Sequence, residues 1–216
     1  MLNGPSFVPK DPKNALFLFH GYGADGTDLF ALTEELGKHF KNMAFFAPNG
    51  PTVTIGGGYE WFSLDDYFSR ENLDIGYLNI LETRAIEKLP KIEEYISQIE
   101  NQYIIKRENI FIAGFSQGGL IAAQTAFQSK SSFNGLILMS PVPMVNISSA
   151  ANKIPVLLTR GLQDTIIPFE AAELTKPTLI QNNFEVTESI DPFLGHGISS
   201  QHLEAIIQFI QKNIKS

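Results

Sequence analysis

The sequence predicts an α/β protein whose central sheet is mostly parallel, twisted and covered by helices on both faces. Short apolar runs alternate along the chain with helix-like stretches, which is typical of strands joined by crossover helices. Most of these runs are apolar at nearly every position, as expected of strands that have no solvent-facing side. The 216 residues fit one such unit, so we expect a single domain over 1–216.

Six segments are predicted as strands. They are 15–20, 43–47, 110–113, 136–140, 155–159 and 184–190. The first five are near-continuous apolar runs, which favours buried positions in the sheet. Only the sixth approaches alternation, with Phe184, Val186 and Ile190 on one face. We therefore expect it to lie nearer an edge of the sheet.

The first helix is predicted over 28–36, with Thr27 as its N-cap and Gly37 placed to end it. A longer apolar stripe with helical spacing covers 77–103 and contains Pro90. Because proline removes a backbone donor and clashes with the preceding turn, we expect a kink there or two successive helices.

Three further helices are predicted over 117–129, 169–175 and 201–214. Proline shortly after the second of these favours its termination, so Pro177 is expected to curtail it. Ser199 or Ser200 is expected to cap the last helix, because a serine oxygen at that position can accept a free backbone N–H.

The segment 49–70 is predicted as a long loop, because it contains three consecutive glycines and the only tryptophan, Trp61. Loops longer than about 12–15 residues in compact domains are often lids or binding loops, so this one is a candidate border of a substrate groove. The alternative is a surface excursion pinned by Trp61 and Phe62.

Composition excludes several classes of function. The chain has no cysteine, which excludes disulfides, thiolate metal sites and a cysteine nucleophile and suits a reducing compartment. No apolar run approaches the roughly 20 residues of a transmembrane helix, and the N-terminus lacks the features of a signal peptide, so we expect a cytoplasmic protein without a transmembrane segment. A net charge of −7 makes nucleic acid an improbable partner.

Residues 114–118 read Gly-Phe-Ser-Gln-Gly between a predicted strand and a predicted helix. This G-x-S-x-G pattern, in this context, predicts a sharp turn that presents Ser116 as a nucleophile. The turn strains the backbone of Ser116 and requires small residues on either side, which Gly114 and Gly118 provide. The alternative is a glycine-rich turn with an incidental serine.

A serine nucleophile requires a histidine as base and a carboxylate that orients the histidine. His196 lies in a loop between the last predicted strand and the last predicted helix, whereas His39 and His202 are expected to be solvated on helix surfaces or ends. Asp164 follows the fifth predicted strand and is the preferred acid. Asp191, five residues before His196, is the alternative.

The order Ser116, Asp164, His196 along the chain is that of the α/β-hydrolase triad. Each residue follows a different predicted strand, and parallel sheets gather ligand sites at the carboxyl ends of their strands.

Acyl transfer also requires donors for the charge that develops on the carbonyl oxygen. The amide of Gln117 is one candidate because it follows the nucleophile at a helix N-terminus. The amide of Tyr22, in the glycine-rich segment after the first predicted strand, is the other, with His20 buried behind that segment. A phosphate-binding interpretation is weak, because neither G-x-G-x-x-G nor the P-loop pattern is present.

With these residues in place, the chain resembles the phospholipase/carboxylesterase family of α/β-hydrolases, which includes acyl-protein thioesterases and lysophospholipases. The resemblance is carried by segments 18–26, 59–62, 113–119, 161–164 and 195–197. It implies Ser116 as nucleophile, Asp164 as acid, His196 as base, and the amides of Tyr22 and Gln117 as oxyanion donors. It also implies that the fold has no large cap domain, and it implies no metal or other cofactor.

The sequence departs from the family at Arg160, where relatives frequently carry histidine, and at Pro177 in a helix that is usually longer. Both departures bear on the shape of the acyl pocket and leave the triad untouched. The pocket is assigned to Trp61, Phe62, Val142, Pro143, Met144 and Ile166.

The predicted function is therefore a serine esterase that hydrolyses carboxylic esters or thioesters with short to medium acyl chains, including lysophospholipid or acyl-protein substrates, through an acyl-enzyme. The alternative is a catalytically idle hydrolase fold that binds a lipid or protein partner through an exposed Trp61 loop. Peptidase or lactonase activity would use the same residues. The oligomeric state is left open, with a homodimer as one alternative.

Overall fold

Strands and helices alternate through most of the computed structural model, which describes residues 2–64, 66, 74–147, 153–167 and 169–215. The strands are β1 (Ser6–Phe7), β2 (Asn14–Phe19), β3 (Met43–Phe46), β4 (Thr52–Val53), β5 (Tyr59–Glu60), β6 (Ile110–Phe115), β7 (Gly135–Met139), β8 (Val156–Gly161) and β9 (Val186–Asp191). The helices are α1 (Gly26–Phe30), α2 (Thr33–His39), α3 (Ile75–Ile86), α4 (Leu89–Tyr103), α5 (Gln117–Gln128), α6 (Phe169–Ala172), α7 (Thr175–Gln181) and α8 (Ser200–Asn213).

Seven strands form one sheet in the order β1-β3-β2-β6-β7-β8-β9. All neighbours are parallel except β1 with β3, which are antiparallel. The carboxyl ends of β2, β6, β8 and β9 therefore meet at one edge of the sheet. The predicted α/β class is confirmed, since a mostly parallel sheet lies between helices.

The core has one apolar layer on each face of the sheet. Alternate residues of a strand point to opposite faces, so Phe17 packs in one layer and Leu16 and Leu18 in the other. The first layer contains residues of α3, α4 and α5, and the second contains residues of α1, α2 and α8. Every residue of β2 is buried, as the apolar run 15–19 predicted.

All six predicted strands are present, with ends that differ by two residues or fewer from the predicted ones. β9 is the last strand of the sheet and only partly buried, which confirms its predicted place at an edge. The prediction missed β1, β4 and β5, because two-residue strands carry no readable periodicity. β4 and β5 form a hairpin inside the predicted loop 49–70. Most of that loop beyond Leu64 lies outside the described residues.

The first predicted helix is wrong in its bounds, because the structure has the two short helices α1 and α2 in its place. The N-cap is Asp25, whose carboxylate accepts a hydrogen bond from the amide of Thr27 at 2.8 Å. Asp25 therefore has the capping role that was assigned to Thr27. Gly37 lies within α2 and does not end it.

The two prolines behave differently. Pro90 lies in the first turn of α4, so the stripe 77–103 is divided into two helices as predicted. The expectation for Pro177 is wrong: α6 ends before it, and Pro177 lies in the first turn of α7. The first turn of a helix has N–H groups without intrahelical acceptors, so a proline there costs no helical hydrogen bond.

The last helix, α8, is capped by Ser199, whose hydroxyl accepts a hydrogen bond from the amide of His202 at 3.3 Å. Within the described residues, none of the helices combines the length and the apolar character that crossing a bilayer requires. The single domain over 1–216 stays a prediction.

Candidate active site

Ser116 lies at a sharp turn between β6 and α5. Its φ of 53° and ψ of −117° fall in a region that a serine seldom adopts. The turn is held by three backbone hydrogen bonds: the amide of Ser116 donates to Met139 O at 2.9 Å, and its carbonyl accepts from Gly119 at 3.0 Å and Val142 at 3.1 Å. The strained conformation is thus fixed by β7 and by the segment that follows it.

The turn depends on two glycines that flank Ser116. A Cβ at Gly114 would lie 2.0 Å from the carbonyl oxygen of Gly118, and a Cβ at Gly118 would lie 2.0 Å from the carbonyl oxygen of Phe19. Backbone atoms cannot move out of the way as a flexible side chain can. The requirement for small residues at both positions, expected from the sequence, is therefore met for a steric reason.

Asp164 and His196 form a hydrogen-bonded pair. Oδ2 of Asp164 lies 2.7 Å from Nδ1 of His196, and Oδ1 accepts from the amides of Ile166 and Ile167, both at 2.9 Å. Burial alone would raise the pKa of Asp164, but the hydrogen bonds from His196 and the two amides outweigh it and lower the pKa. Asp164 is therefore an ionised carboxylate at neutral pH that orients the imidazole.

The loops that carry Asp164 and His196 are in backbone contact. The amide of Gln163 donates to Leu194 O at 2.9 Å, and a Cβ at Gly161 would lie only 2.1 Å from that same oxygen. The alternative acid, Asp191, uses Oδ1 to accept from the amide of Phe193 at 3.0 Å. Of the two candidate acids, the structure brings Asp164 to the ring of His196.

A cavity of about 150 Å³ lies beside Ser116, and Ser116 and His196 both line it. Its wall includes the apolar side chains of Leu64, Val142 and Ile167. Phe115 also lines the cavity, and its ring centroid lies 4.7 Å from that of His196. The serine, the imidazole and an apolar wall thus meet at one opening, at the carboxyl edge of the sheet.

The side chain of Gln117 binds a distant segment of the chain. Its Oε1 accepts from the amide of Trp61 at 2.9 Å, and its Nε2 donates to the carbonyl of Phe62 at 2.8 Å. The indole Nε1 of Trp61 in turn donates to His20 O at 2.9 Å. We call these three hydrogen bonds the Gln117–Trp61 clamp, because they join the turn at Ser116 to the segment that contains Tyr22.

The ring of His20 makes two hydrogen bonds that support the segment that contains Tyr22. Nδ1 donates to Gly21 O at 2.7 Å, and Nε2 accepts from the amide of Gly50 at 2.9 Å. Burial lowers the pKa of His20, despite the opposing effects of the Gly21 carbonyl and Asp25. A neutral ring is required, because a protonated one could not accept the hydrogen bond from Gly50. This agrees with the buried supporting role expected for His20.

The two candidate oxyanion donors lie on either side of the clamp. Gln117 is the first residue of α5, so its amide has no intrahelical acceptor. Tyr22 lines the cavity, and the hairpin β4–β5 supports its segment: the amide of Gly23 donates to Tyr59 O at 2.9 Å, and that of Tyr59 donates to Ala24 O at 2.7 Å. The clamp therefore fixes both candidates relative to each other.

A family model described as phospholipase/carboxylesterase matches residues 8–214. The chain belongs to this family. Its relatives include acyl-protein thioesterase 1 of Eremothecium gossypii, 28% identical over 94% of this chain and 88% of the relative. Carboxylesterase SOBER1 of Arabidopsis thaliana is 27% identical over 94% of this chain and 92% of the relative.

Two solved structures of esterases resemble this one. The crystal structure of esterase PE8 has a TM-score of 0.87 and 28% identity, covering 98% of this chain and 99% of its own. That of the Bacillus cereus carboxylesterase has a TM-score of 0.80 and 23% identity, covering 99% of this chain and 95% of its own. The second supports the fold alone. The predicted family is confirmed, and the names of the relatives agree with the predicted hydrolysis of esters or thioesters.

In this member of the phospholipase/carboxylesterase family, two of the six predicted acyl-pocket residues line the cavity. Val142 and Ile166 line the cavity as expected. Trp61 and Phe62 are buried and are not among the described residues that line the cavity. Pro143 and Met144 are also buried and do not line the cavity. The role of these four residues in the acyl pocket stays a prediction, because hydrophobicity alone does not separate a pocket wall from a core.

The two histidines that were expected to be solvated, His39 and His202, have different environments. His39 is exposed at the end of α2, as expected. His202 is fully buried in α8, so the expectation of a solvated ring is wrong.

Arg160, one of the departures from the family pattern, is buried and forms ion pairs with Glu173 and Glu188. The ion pair with Glu188 joins β8 to β9 just before the loop that carries Asp164.

The sequence analysis missed Glu82, a buried residue that supports the segment beside the cavity. Glu82 of α3 is buried, and its Oε1 accepts from the amides of Val145 at 2.7 Å and Asn146 at 3.1 Å. These amides follow the cavity residue Val142 in the segment after β7. Glu82 is four residues from Leu78 and three from Ala85, so a charge on the buried face of the stripe was the available signal.

We expect Glu82→Gln to stabilise the protein at pH 7, because glutamine keeps the acceptor oxygen without a buried charge. Burial raises the pKa of Glu82 above its usual 4.5, although the two amides lower it. The folded state therefore binds the proton more tightly than the unfolded state, and wild-type stability falls as pH rises through the window above about 4.5. The glutamine variant should escape that fall and gain on the order of 1 kcal/mol at neutral pH.

Urea unfolding of both proteins at pH 4 and pH 7 checks this expectation. The difference between variant and wild type should be near zero at the lower pH and favour the variant at the higher one. A variant that is less stable at pH 7 than at pH 4, relative to wild type, contradicts it.

Proposed function

We propose that this protein is a serine esterase that hydrolyses carboxylic esters or thioesters with short to medium acyl chains through an acyl-enzyme intermediate. One observation carries the proposal. Ser116 and His196 line the same cavity, while Asp164 occupies the other side of the imidazole at 2.7 Å. This is the arrangement that nucleophilic catalysis by a serine requires.

The reaction follows from these positions. His196 takes the proton of Ser116 as the hydroxyl oxygen attacks the carbonyl carbon, and Asp164 stabilises the imidazolium that forms. The amides of Gln117 and Tyr22 donate to the negative oxygen of the tetrahedral intermediate. When the intermediate collapses, the imidazolium gives its proton to the leaving alkoxide or thiolate. His196 then deprotonates a water molecule whose oxygen attacks the acyl carbon, and the imidazolium returns this proton to the oxygen of Ser116 as the acyl-serine bond breaks and the carboxylic acid leaves.

The volume of the cavity limits the size of the acyl group that it can hold. Pockets for drug-sized ligands have volumes of roughly 300–1,000 Å³. The cavity of about 150 Å³ is smaller, and Leu64, Val142 and Ile167 give it an apolar wall. A short acyl chain fits this space. A relative named acyl-protein thioesterase 1 supports including thioesters in the substrate class.

Rapid-mixing kinetics with p-nitrophenyl butyrate test the proposal. We expect an initial burst of about one p-nitrophenolate per protein molecule if deacylation is the slower step, and steady turnover in any case. A fluorophosphonate should abolish turnover and leave one covalent adduct, which mass spectrometry should locate on the peptide that contains Ser116. An adduct on another residue, or turnover that survives complete labelling, would refute the proposal.

The alternative, an idle hydrolase fold that binds a partner through an exposed Trp61, loses its supporting feature because Trp61 is buried. Binding of the ester without turnover would favour it.

We also propose that the enzyme acts in the cytoplasm, supported by its lack of cysteine, and that nucleic acid is not a partner, supported by its net charge of −7. A homodimer stays a prediction.

A further inference from the structure

The cavity beside Ser116 contains one carboxylate that the proposed reaction does not use. Asp28 lines this cavity together with Tyr22 and Ser116. Neither a lysine nor an arginine is among the described residues of its wall. Asp28 is thus the one carboxylate that the described part of the cavity wall presents to a bound substrate.

The carboxylate of Asp28 is not committed to another group. Asp28 is an exposed residue in the first turn of α1, where the capping carboxylate is that of Asp25. Among the described residues, Asp28 takes part in no ion pair, and its side chain accepts no hydrogen bond. Its negative charge therefore acts on whatever lies in the cavity.

The two parts of an ester would meet different sides of this cavity. The apolar side chains of Leu64, Val142 and Ile167 suit an acyl chain. Asp28 is exposed to solvent, so the part of the wall that it forms is open to water. A charged group is costly to desolvate and is best placed at such an open side. A leaving group beside this exposed carboxylate would keep part of its hydration, whereas an acyl chain would contact the apolar side chains.

We propose that Asp28 is a specificity-determining residue that makes this enzyme prefer esters or thioesters whose leaving group carries a positive charge, such as an ammonium alcohol. The inference rests on the proposed serine-esterase function. The attraction acts through partly solvated space and is screened by salt, so it changes kcat/KM by a few-fold and does not switch activity on or off.

A pair of isosteric substrates isolates this charge. Butyrylcholine and 3,3-dimethylbutyl butyrate have the same shape, but the first has a quaternary nitrogen where the second has a carbon. In wild-type enzyme, the ratio of kcat/KM for the cationic ester to that for the neutral ester should exceed the ratio in Asp28→Asn by about two- to five-fold. Raising the salt from about 20 mM to about 500 mM should reduce the wild-type ratio and leave the variant ratio nearly unchanged.

Two controls distinguish a charge effect at the cavity from a general charge effect and from a structural role of Asp28. Glu34→Gln removes the same charge from the exposed surface of α2, away from the cavity, and should leave the ratio at the wild-type value. A purely structural role for Asp28 in α1 would lower thermal stability and slow both esters equally, without a change in the ratio. Equal ratios in wild type and Asp28→Asn overturn the inference. Failure of wild type to hydrolyse either ester would instead count against the proposed function.

Discussion

Replacing Ser116 with alanine is expected to lower kcat/KM for p-nitrophenyl butyrate by at least about 10⁴-fold while the fold is retained. The hydroxyl oxygen is the atom that forms the acyl-enzyme, so the covalent route is lost without it. Alanine keeps the Cβ, and the hydrogen bonds that hold the turn involve only the backbone of residue 116. Steady-state kinetics and the midpoint of thermal unfolding, which should shift by no more than a few degrees, check both parts.

Ser140 offers a matched control. It also has a positive φ, 41°, directly after a strand of the sheet, and its buried hydroxyl has no hydrogen-bond partner among the described residues. Ser140→Ala should therefore retain near-wild-type activity. Comparable activity in Ser116→Ala and Ser140→Ala, with both proteins folded, would show that Ser116 is not the nucleophile.

Replacing Asp164 with asparagine is expected to lower kcat by on the order of 10³- to 10⁴-fold. Asparagine can keep the acceptor oxygen for the amides of Ile166 and Ile167, so the loop should hold its shape. Its NH₂ group would face Nδ1 of His196, however, and favour the tautomer in which Nε2 carries the proton and cannot accept one from Ser116. The negative charge that stabilises the imidazolium is lost as well. Kinetics and circular dichroism measure the two effects separately.

Asp191→Asn is the matched control for this second change, because Asp191 was the alternative acid in the sequence. Its carboxylate accepts from the backbone amide of Phe193, a role that asparagine can fulfil. Activity within a few-fold of wild type is expected. A large loss in Asp191→Asn together with a small loss in Asp164→Asn would make Asp191 the acid.

Much of the architecture could be predicted because it follows from local rules. β6 is apolar throughout and β2 is apolar from Ala15 onward, which suits strands that are covered by helices on both faces. The turn at Ser116 could be predicted because Gly114 and Gly118 satisfy a steric requirement that leaves few alternatives. The positions of Asp164 and His196 followed from the rule that parallel strands bring their carboxyl ends to one edge.

The errors concern features that only the folded chain determines. Trp61 was expected either to border a substrate groove or to pin its loop, and its burial agrees with the second alternative. The sequence could not decide between them, because a glycine-rich segment does not reveal which of its side chains turns inward. Its partners, Gln117 and His20, are 56 and 41 residues away in sequence. Pro177 was expected to end a helix, because proline has the opposite effect in a first turn and in a helix interior. Nothing local distinguished these cases.

The Gln117–Trp61 clamp has a consequence for the exchange of parts between relatives. The amides that are proposed to stabilise the oxyanion come from two segments that are far apart in sequence. A third segment, at 61–62, is hydrogen-bonded to both and fixes their relative position. Residues 20, 61 and 117 therefore form one hydrogen-bonded unit. A chimaera that imports the hairpin loop without its tryptophan would leave buried partners unmatched, whereas transplanting all three positions together preserves the fit.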